Sequence, residues 1–233
     1  MKHADCPGIL IGGVEQPCAA PVLRWEETGL EFKVGRDPGA TRRERLIDTI
    51  VLHWTGAENP PERVYQTLLQ RKCGVEVIIS AEGTVYQCCD PVFVDAHDCG
   101  RKWDRRSIGV EIVSYGFQWP PWARWSLRPV PAAGRSRRLL ETRWRGRRAF
   151  VAAFHEEQII AVKALVDALL DALPGIPAVV PLDDQGLVLD RPMTRAEERA
   201  WKGGVLGHLN ITTRGKPDPG VPLLEEVAAY LGD

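Results

Sequence analysis

The stretch "LIDTIVLHW", Leu46 to Trp54, is almost continuously apolar and β-branched, and Thr55-Gly56 closes it. A short unbroken apolar run is what a strand covered on both faces requires. It predicts a central strand with His53 at its C-terminal end. "VEVIIS" and "TVYQCC" are separated by Ala81-Glu82-Gly83, which predicts a hairpin. "SIGVEIV", Ser107 to Val113, predicts another strand. Its alternation sends Ile108, Val110 and Ile112 to one face and Gly109, Glu111 and Val113 to the other. The period then changes. In "EEQIIAVKALVDALLDAL" the apolar residues Ile159, Val162, Val166, Leu169 and Leu173 fall at helical spacing, and Pro174-Gly175 is the stop. A second helix is expected within "PPERVYQTLLQRK", opened by prolines, and a closing helix in "PLLEEVAAYLG". Strands and helices interleave, so the expected class is α/β, one domain with a central mixed β-sheet flanked by helices.

From Tyr115 to about Arg148 no clean period is read. Between Arg101 and Arg148 there are 13 Lys or Arg against 3 Asp or Glu, and five of the chain's eight tryptophans lie there. Two readings stay open. One is a long solvated insertion with aromatic anchors. The other is a binding flap, because Trp stacks on sugar or base faces and Arg pairs with anionic groups.

Composition narrows the class. With 233 residues, 44% hydrophobic and 26% charged, the chain is an ordinary globular protein long enough for one substantial core. The net charge of −1 gives no global pull toward nucleic acid or anionic membrane. No apolar run approaches the ~20 residues of a membrane span. The opening "MKHADCPGILIGGVEQPCAAPV" has only a short glycine-broken apolar patch and carries acidic residues, so no secretory signal is read. The expectation is synthesis in the cytoplasm, with any extracellular target reached by another route. Of the six cysteines no pair has CxxC spacing, and reduced thiols are expected.

The chemistry lies in "GHLNITTRGKPDPG", Gly207 to Gly220, a stretch too rich in Gly, Pro and Thr for a helix or long strand. It holds His208, Lys216 and Asp218. Zinc takes neutral imidazole and carboxylate ligands, and a catalytic zinc site uses three protein ligands with the fourth position open. Singly, each histidine here is a weak signal. The ordered set of "VLHWTG", "SIGVEIV" and "GHLNITTRGKPDPG" is a stronger one.

That ordered set, with "AEGTVYQ", resembles the zinc-dependent N-acetylmuramoyl-L-alanine amidases of the type 2 family, which includes bacterial amidases, phage endolysins and peptidoglycan recognition proteins. The resemblance covers roughly Ile47 to Gly220. It implies zinc ligands at His53, His208 and Asp218, an oxyanion-stabilising lysine at Lys216 and a glutamate base at Glu111. Trp54 is a candidate substrate contact, as are Trp119 and Trp122 on the flap reading, and His97 in "DAHDCG" either supports the site or touches substrate, or is structural. The implied reaction is hydrolysis of the amide between N-acetylmuramic acid and L-alanine in peptidoglycan, by a monomer acting without nucleic acid or membrane. Residues 1–45 are expected as a leader packed on an amidase domain of residues 46–233, with the basic Trp-rich insertion at about 115–150. One departure stands out. Where the family often has an aromatic residue or alanine followed by histidine, this chain has Val75-Glu76, so a tyrosine that positions water in some members is absent. That places the base role on Glu111. Glu76 is expected to pair with a cation on the other face. The alternative under the same resemblance is a non-catalytic peptidoglycan-binding module, against which all three ligand positions are retained.

Overall fold

A computed structural model describes residues 7–34, 36, 39–42, 45–118, 138–211 and 215–232. In chain order the N-terminal half runs β1 (Ile9–Ile11), β2 (Val14–Gln16), β3 (Val22–Arg24), α1 (Trp25–Thr28), β4 (Ala40–Arg42), β5 (Thr49–Trp54), α2 (Pro61–Gln70), β6 (Val77–Ile79), β7 (Val85–Gln87), β8 (Val94–Ala96), α3 (Arg101–Asp104) and β9 (Ser107–Ile112). Then follow β10 (Phe117–Gln118), β11 (Leu139–Trp144), β12 (Arg147–Ala152), α4 (Glu156–Ala172), α5 (Arg195–Ala200), β13 (Gly204–Gly207), a 3-10 turn (His208–Asn210) and α6 (Val221–Gly232).

The main sheet has six strands in the order β13-β5-β9-β6-β7-β3. All neighbours are parallel except the β6–β7 hairpin, so the sheet is mixed. The apolar runs behave as read. Ile50, Leu52, Ile108, Val110 and Ile112 share one core with Val162, Leu165, Val166 and Leu169 of α4 and Val221, Leu224 and Val227 of α6. On the opposite face, Val75, Ile78 and Val113 pack with Phe32 and with Val64 and Tyr65 of α2. The central strands β5 and β9 are thus covered on both faces, which is why their sequences are apolar with little alternation. The first residue of the apolar run departs from the expectation: Leu46 is 94% exposed, and the strand begins at Thr49. The segment before it is integral to the sheet, because β3 adds an edge strand parallel to β7.

The segment expected to lack periodicity contains regular structure. Residues 139–152 form an antiparallel hairpin, β11 against β12, with β10 on the far side of β12. The burial of β11 alternates strictly, with Leu140, Thr142 and Trp144 turned inward and Leu139, Glu141 and Arg143 outward. After its two leucines this period-2 pattern is written with Thr and Trp inward and Glu and Arg outward rather than with aliphatic residues. The remainder of the insertion, with Trp119 and Trp122, lies outside the described residues. Among the described residues no helix is long and apolar enough to cross a membrane, and all five described cysteines are free thiols.

Candidate active site

The site opens on the α2 side of the sheet, at the C-terminal ends of β5 and β13. Ile50 and Leu52 point into the α4/α6 core, so the pleat turns His53 to the other face. On the neighbouring strand Glu111 is the register partner of His53 and faces the same way. At the end of β13 the chain breaks into the 3-10 turn that carries His208. Asn210 holds this turn in place. Its side chain accepts from the Gly207 N–H (3.0 Å) and donates to the Leu189 carbonyl (2.8 Å), fully buried. The Leu209 N–H then donates to the Asp218 carbonyl at 2.8 Å, bringing the far end of the loop back to its start.

The result is a tight triangle of donor atoms. His53 Nδ1 lies 3.0 Å from His208 Nδ1 and 3.1 Å from Asp218 Oδ2, and His208 Nδ1 lies 3.2 Å from the same oxygen. All three side chains are buried. Tetrahedral zinc with N and O ligands at 2.0–2.2 Å separates its ligands by about 3.3 Å, so two imidazoles and a carboxylate at this spacing fit the ion. Cys99 adds a second grouping, since donor atoms of His53, Cys99 and His208 lie within 4.8 Å of one another.

The electrostatics follow from burial and proximity. Burial works against the Asp218 carboxylate, but contacts from His208 and His53 outweigh it and hold the pKa below the usual range. Burial lowers His208. His53 is also penalised by burial, yet its closeness to Cys99 and Asp98 and its contacts to Asp218 and Asp98 lift it well above the ordinary histidine value. Glu111 is pushed up to about 7 by burial, with Asp218 and Asp98 reinforcing and His53 and Lys216 opposing.

These residues line a hollow of about 290 Å³ together with Trp54, Leu68, Arg71, Cys73, Asp98 and Lys216. The Trp54 indole lies across Gly116, where a Cβ would come within 2.5 Å of the ring. Gly116 has φ +69°, so both its backbone and its contact exclude a side chain.

Residues 42–221, well over half the chain, match the family model described as N-acetylmuramoyl-L-alanine amidase. The chain belongs to this amidase family. The N-acetylmuramoyl-L-alanine amidase LysC from Clostridium intestinale URNW has a similar fold. Its TM-score is 0.52 at 13% identity, covering 91% of this chain and 97% of that one. The Ph2119 endolysin from the Thermus scotoductus MAT2119 bacteriophage aligns with a TM-score of 0.48 at 17% identity, over 89% of this chain and 99% of that one. AmiD from E. coli, solved with anhydro-N-acetylmuramic acid-L-Ala-D-gamma-Glu-L-Lys, aligns at 0.49 and 17%, over 82% and 59%. No curated protein sequence matches the chain.

In this amidase-family chain the structure brings together His53, His208, Asp218, Glu111, Lys216 and Trp54. It does not bring His97 to them. His97 Nε2 faces Thr41 Oγ1 at 3.2 Å, in a separate hollow with Asp95, Arg101 and Asp104. Its neighbour Asp98 turns into the site instead. Nothing in "DAHDCG" tells which of two adjacent polar residues faces the sheet, because the segment follows β8 without a continuing period. Glu76 pairs with a cation as expected, but on the Gly109 and Glu111 side of the sheet rather than the other face. It is fully buried against Arg45 and accepts from the Gly109 N–H (2.7 Å) and the Ala96 N–H (3.2 Å).

Proposed function

We propose that this protein hydrolyses the amide between N-acetylmuramic acid and L-alanine in peptidoglycan, with a zinc ion held by His53, His208 and Asp218. The observation that carries the reading is the triangle of donor atoms at 3.0–3.2 Å with Glu111 on the adjacent strand. Zinc bound there would acidify water and polarise the amide carbonyl. Glu111 accepts the proton of the attacking water and returns it to the leaving amine. Lys216, at the rim of the same hollow, stabilises the negative charge that develops on the carbonyl oxygen. Trp54 supplies a flat apolar wall for the sugar face. The expected partner is peptidoglycan and the expected place of action is the cell wall.

The test is digestion of purified peptidoglycan with and without a chelator, with products identified by mass. Release of stem peptides bearing a free L-alanine amine, stopped by chelator and restored by zinc, is the expected result. Binding to peptidoglycan without any release would instead support the non-catalytic module.

A further inference from the structure

His53 has two ring nitrogens, and the structure occupies both. Nδ1 faces His208 and Asp218, while Nε2 lies 2.9 Å from Asp98 Oδ2 and 3.4 Å from Cys99 Sγ. An imidazole that binds a metal is neutral, with one N–H and one lone pair, and what each nitrogen faces decides which is which. If Nδ1 held the proton, it would donate to Asp218 and no lone pair would enter the donor triangle. We infer that Asp98 is the positioning residue for His53: its carboxylate takes the Nε2–H, which leaves the Nδ1 lone pair aimed at the metal position. This rests on the zinc reading above and adds a residue that the sequence did not point to.

The surroundings are arranged to keep that carboxylate there. The Asp98 side chain is only 6% exposed. The Asp98 and Cys99 N–H groups both donate to Asp104 Oδ1, at 3.3 and 2.8 Å, which fixes the turn that presents them. Opposite, on β9, stands Gly109. A Cβ at that position would lie 2.0 Å from Asp98 Oδ2, the oxygen that meets His53, and 2.9 Å from Asp98 Cγ. The glycine of "SIGVE" thus vacates the space that the carboxylate fills. Cys99 Sγ is within hydrogen-bonding distance of the same nitrogen, but a thiol is a much weaker acceptor than a carboxylate, and Asp98 Oδ2, buried and without a hydrogen-bond partner of its own among the described residues, lies closest to that nitrogen. Carboxylates placed behind metal-bound histidines set the tautomer and ring orientation, and losing one typically weakens metal binding 10–100-fold.

The experiment measures zinc affinity by chelator competition in the full chain for wild type, Asp98→Ala, Asp98→Asn, Gly109→Ala and Cys99→Ala. Imidazole nitrogen NMR is read in parallel. Asp98→Ala and Gly109→Ala are each expected to weaken zinc binding about 10–100-fold. Asp98→Asn should fall between these and wild type, and the His53 signal should lose its Nε2–H pattern in Asp98→Ala. Gly109→Ala separates the carboxylate's placement from its presence. If Asp98→Ala does not fold, the isosteric Asp98→Asn is judged by the same criterion. Asp98→Ala binding zinc within about twofold of wild type with an unchanged nitrogen spectrum would overturn the inference. So would a larger loss in Cys99→Ala. Wild type that binds no zinc would overturn the functional reading itself, which is a different outcome.

Discussion

His53 and Glu111 are register partners on the parallel strands β5 and β9, and both face the hollow that also receives His208 and Asp218. A candidate base therefore sits one strand away from a candidate ligand, held by backbone pairing rather than by side-chain contacts. Both strands are pinned from behind by the α4/α6 core, so the spacing between the two groups is set by the sheet.

Glu111→Gln is expected to keep zinc and lose about 10²–10⁴-fold in turnover, the usual contribution of a general acid–base group. Release of stem peptides per bound zinc is the measurement. Near wild-type turnover would move the base role elsewhere. The same variant reports on stability. The Glu111 pKa stands at about 7 in the metal-free fold, above its ordinary value of 4.5. The folded state then holds the proton more tightly than the unfolded chain. Its contribution to metal-free stability is present below about pH 4.5 and is lost as pH rises through about 7. The thermal midpoint of Glu111→Gln without metal should fall less over that window than that of wild type.

Asp218→Ala and His208→Ala are expected to abolish both zinc binding and cleavage. The fold should survive, because the loop is closed by the Leu209 N–H to the Asp218 backbone carbonyl and by Asn210, neither of which the substitutions remove. Metal content after dialysis, together with a circular dichroism spectrum, decides this. Full zinc retention in Asp218→Ala would exclude that carboxylate as a ligand and bring Cys99 forward.

Lys216→Ala should cost about 10²–10³-fold in kcat, the range for removing one oxyanion donor, with zinc content unchanged. Lys216 is exposed, so unfolding does not complicate the comparison. A rise in KM with kcat intact would make it a substrate contact instead.

Arg45→Met is expected to destabilise the protein by about 3 kcal/mol or more, measured by urea unfolding of the metal-free chain. Arg45 and Glu76 are paired with side chains 1% and 0% exposed, and the Arg45 guanidinium also donates to the carbonyls of Pro91 (2.9 Å) and Ser107 (2.7 Å). Removing the cation leaves a buried carboxyl without its charge partner. A change below about 1 kcal/mol would show that Gly109 and Ala96 alone satisfy Glu76.

Much of this was legible in the residues. The apolar runs of β5 and β9 and the helical spacing of α4 reported the two-sided cover directly, because burial on both faces leaves no room for polar positions. The same alternation placed Glu111 away from Ile108, Val110 and Ile112. The hairpin of residues 139–152 escaped notice because its inward face is built from Leu140, Thr142 and Trp144 among arginines, so the period of 2 is present in burial but faint in hydrophobicity.

By itself the sequence determined the class of fold and its central strands, since those follow from local periodicity, while His53, His208 and Asp218 stood as a ligand set only through the resemblance to the type 2 amidases. The tertiary structure decided which of them meet. His53 and Asp218 are 165 residues apart, and only strand register and the closure of the Gly207–Gly220 loop put their atoms 3.1 Å apart. It also decided between neighbours, turning Asp98 to His53 and His97 toward Thr41. That choice depends on the room beside Gly109 and on the grip of Asp104 on the turn, both of them contacts between distant segments that no local pattern encodes.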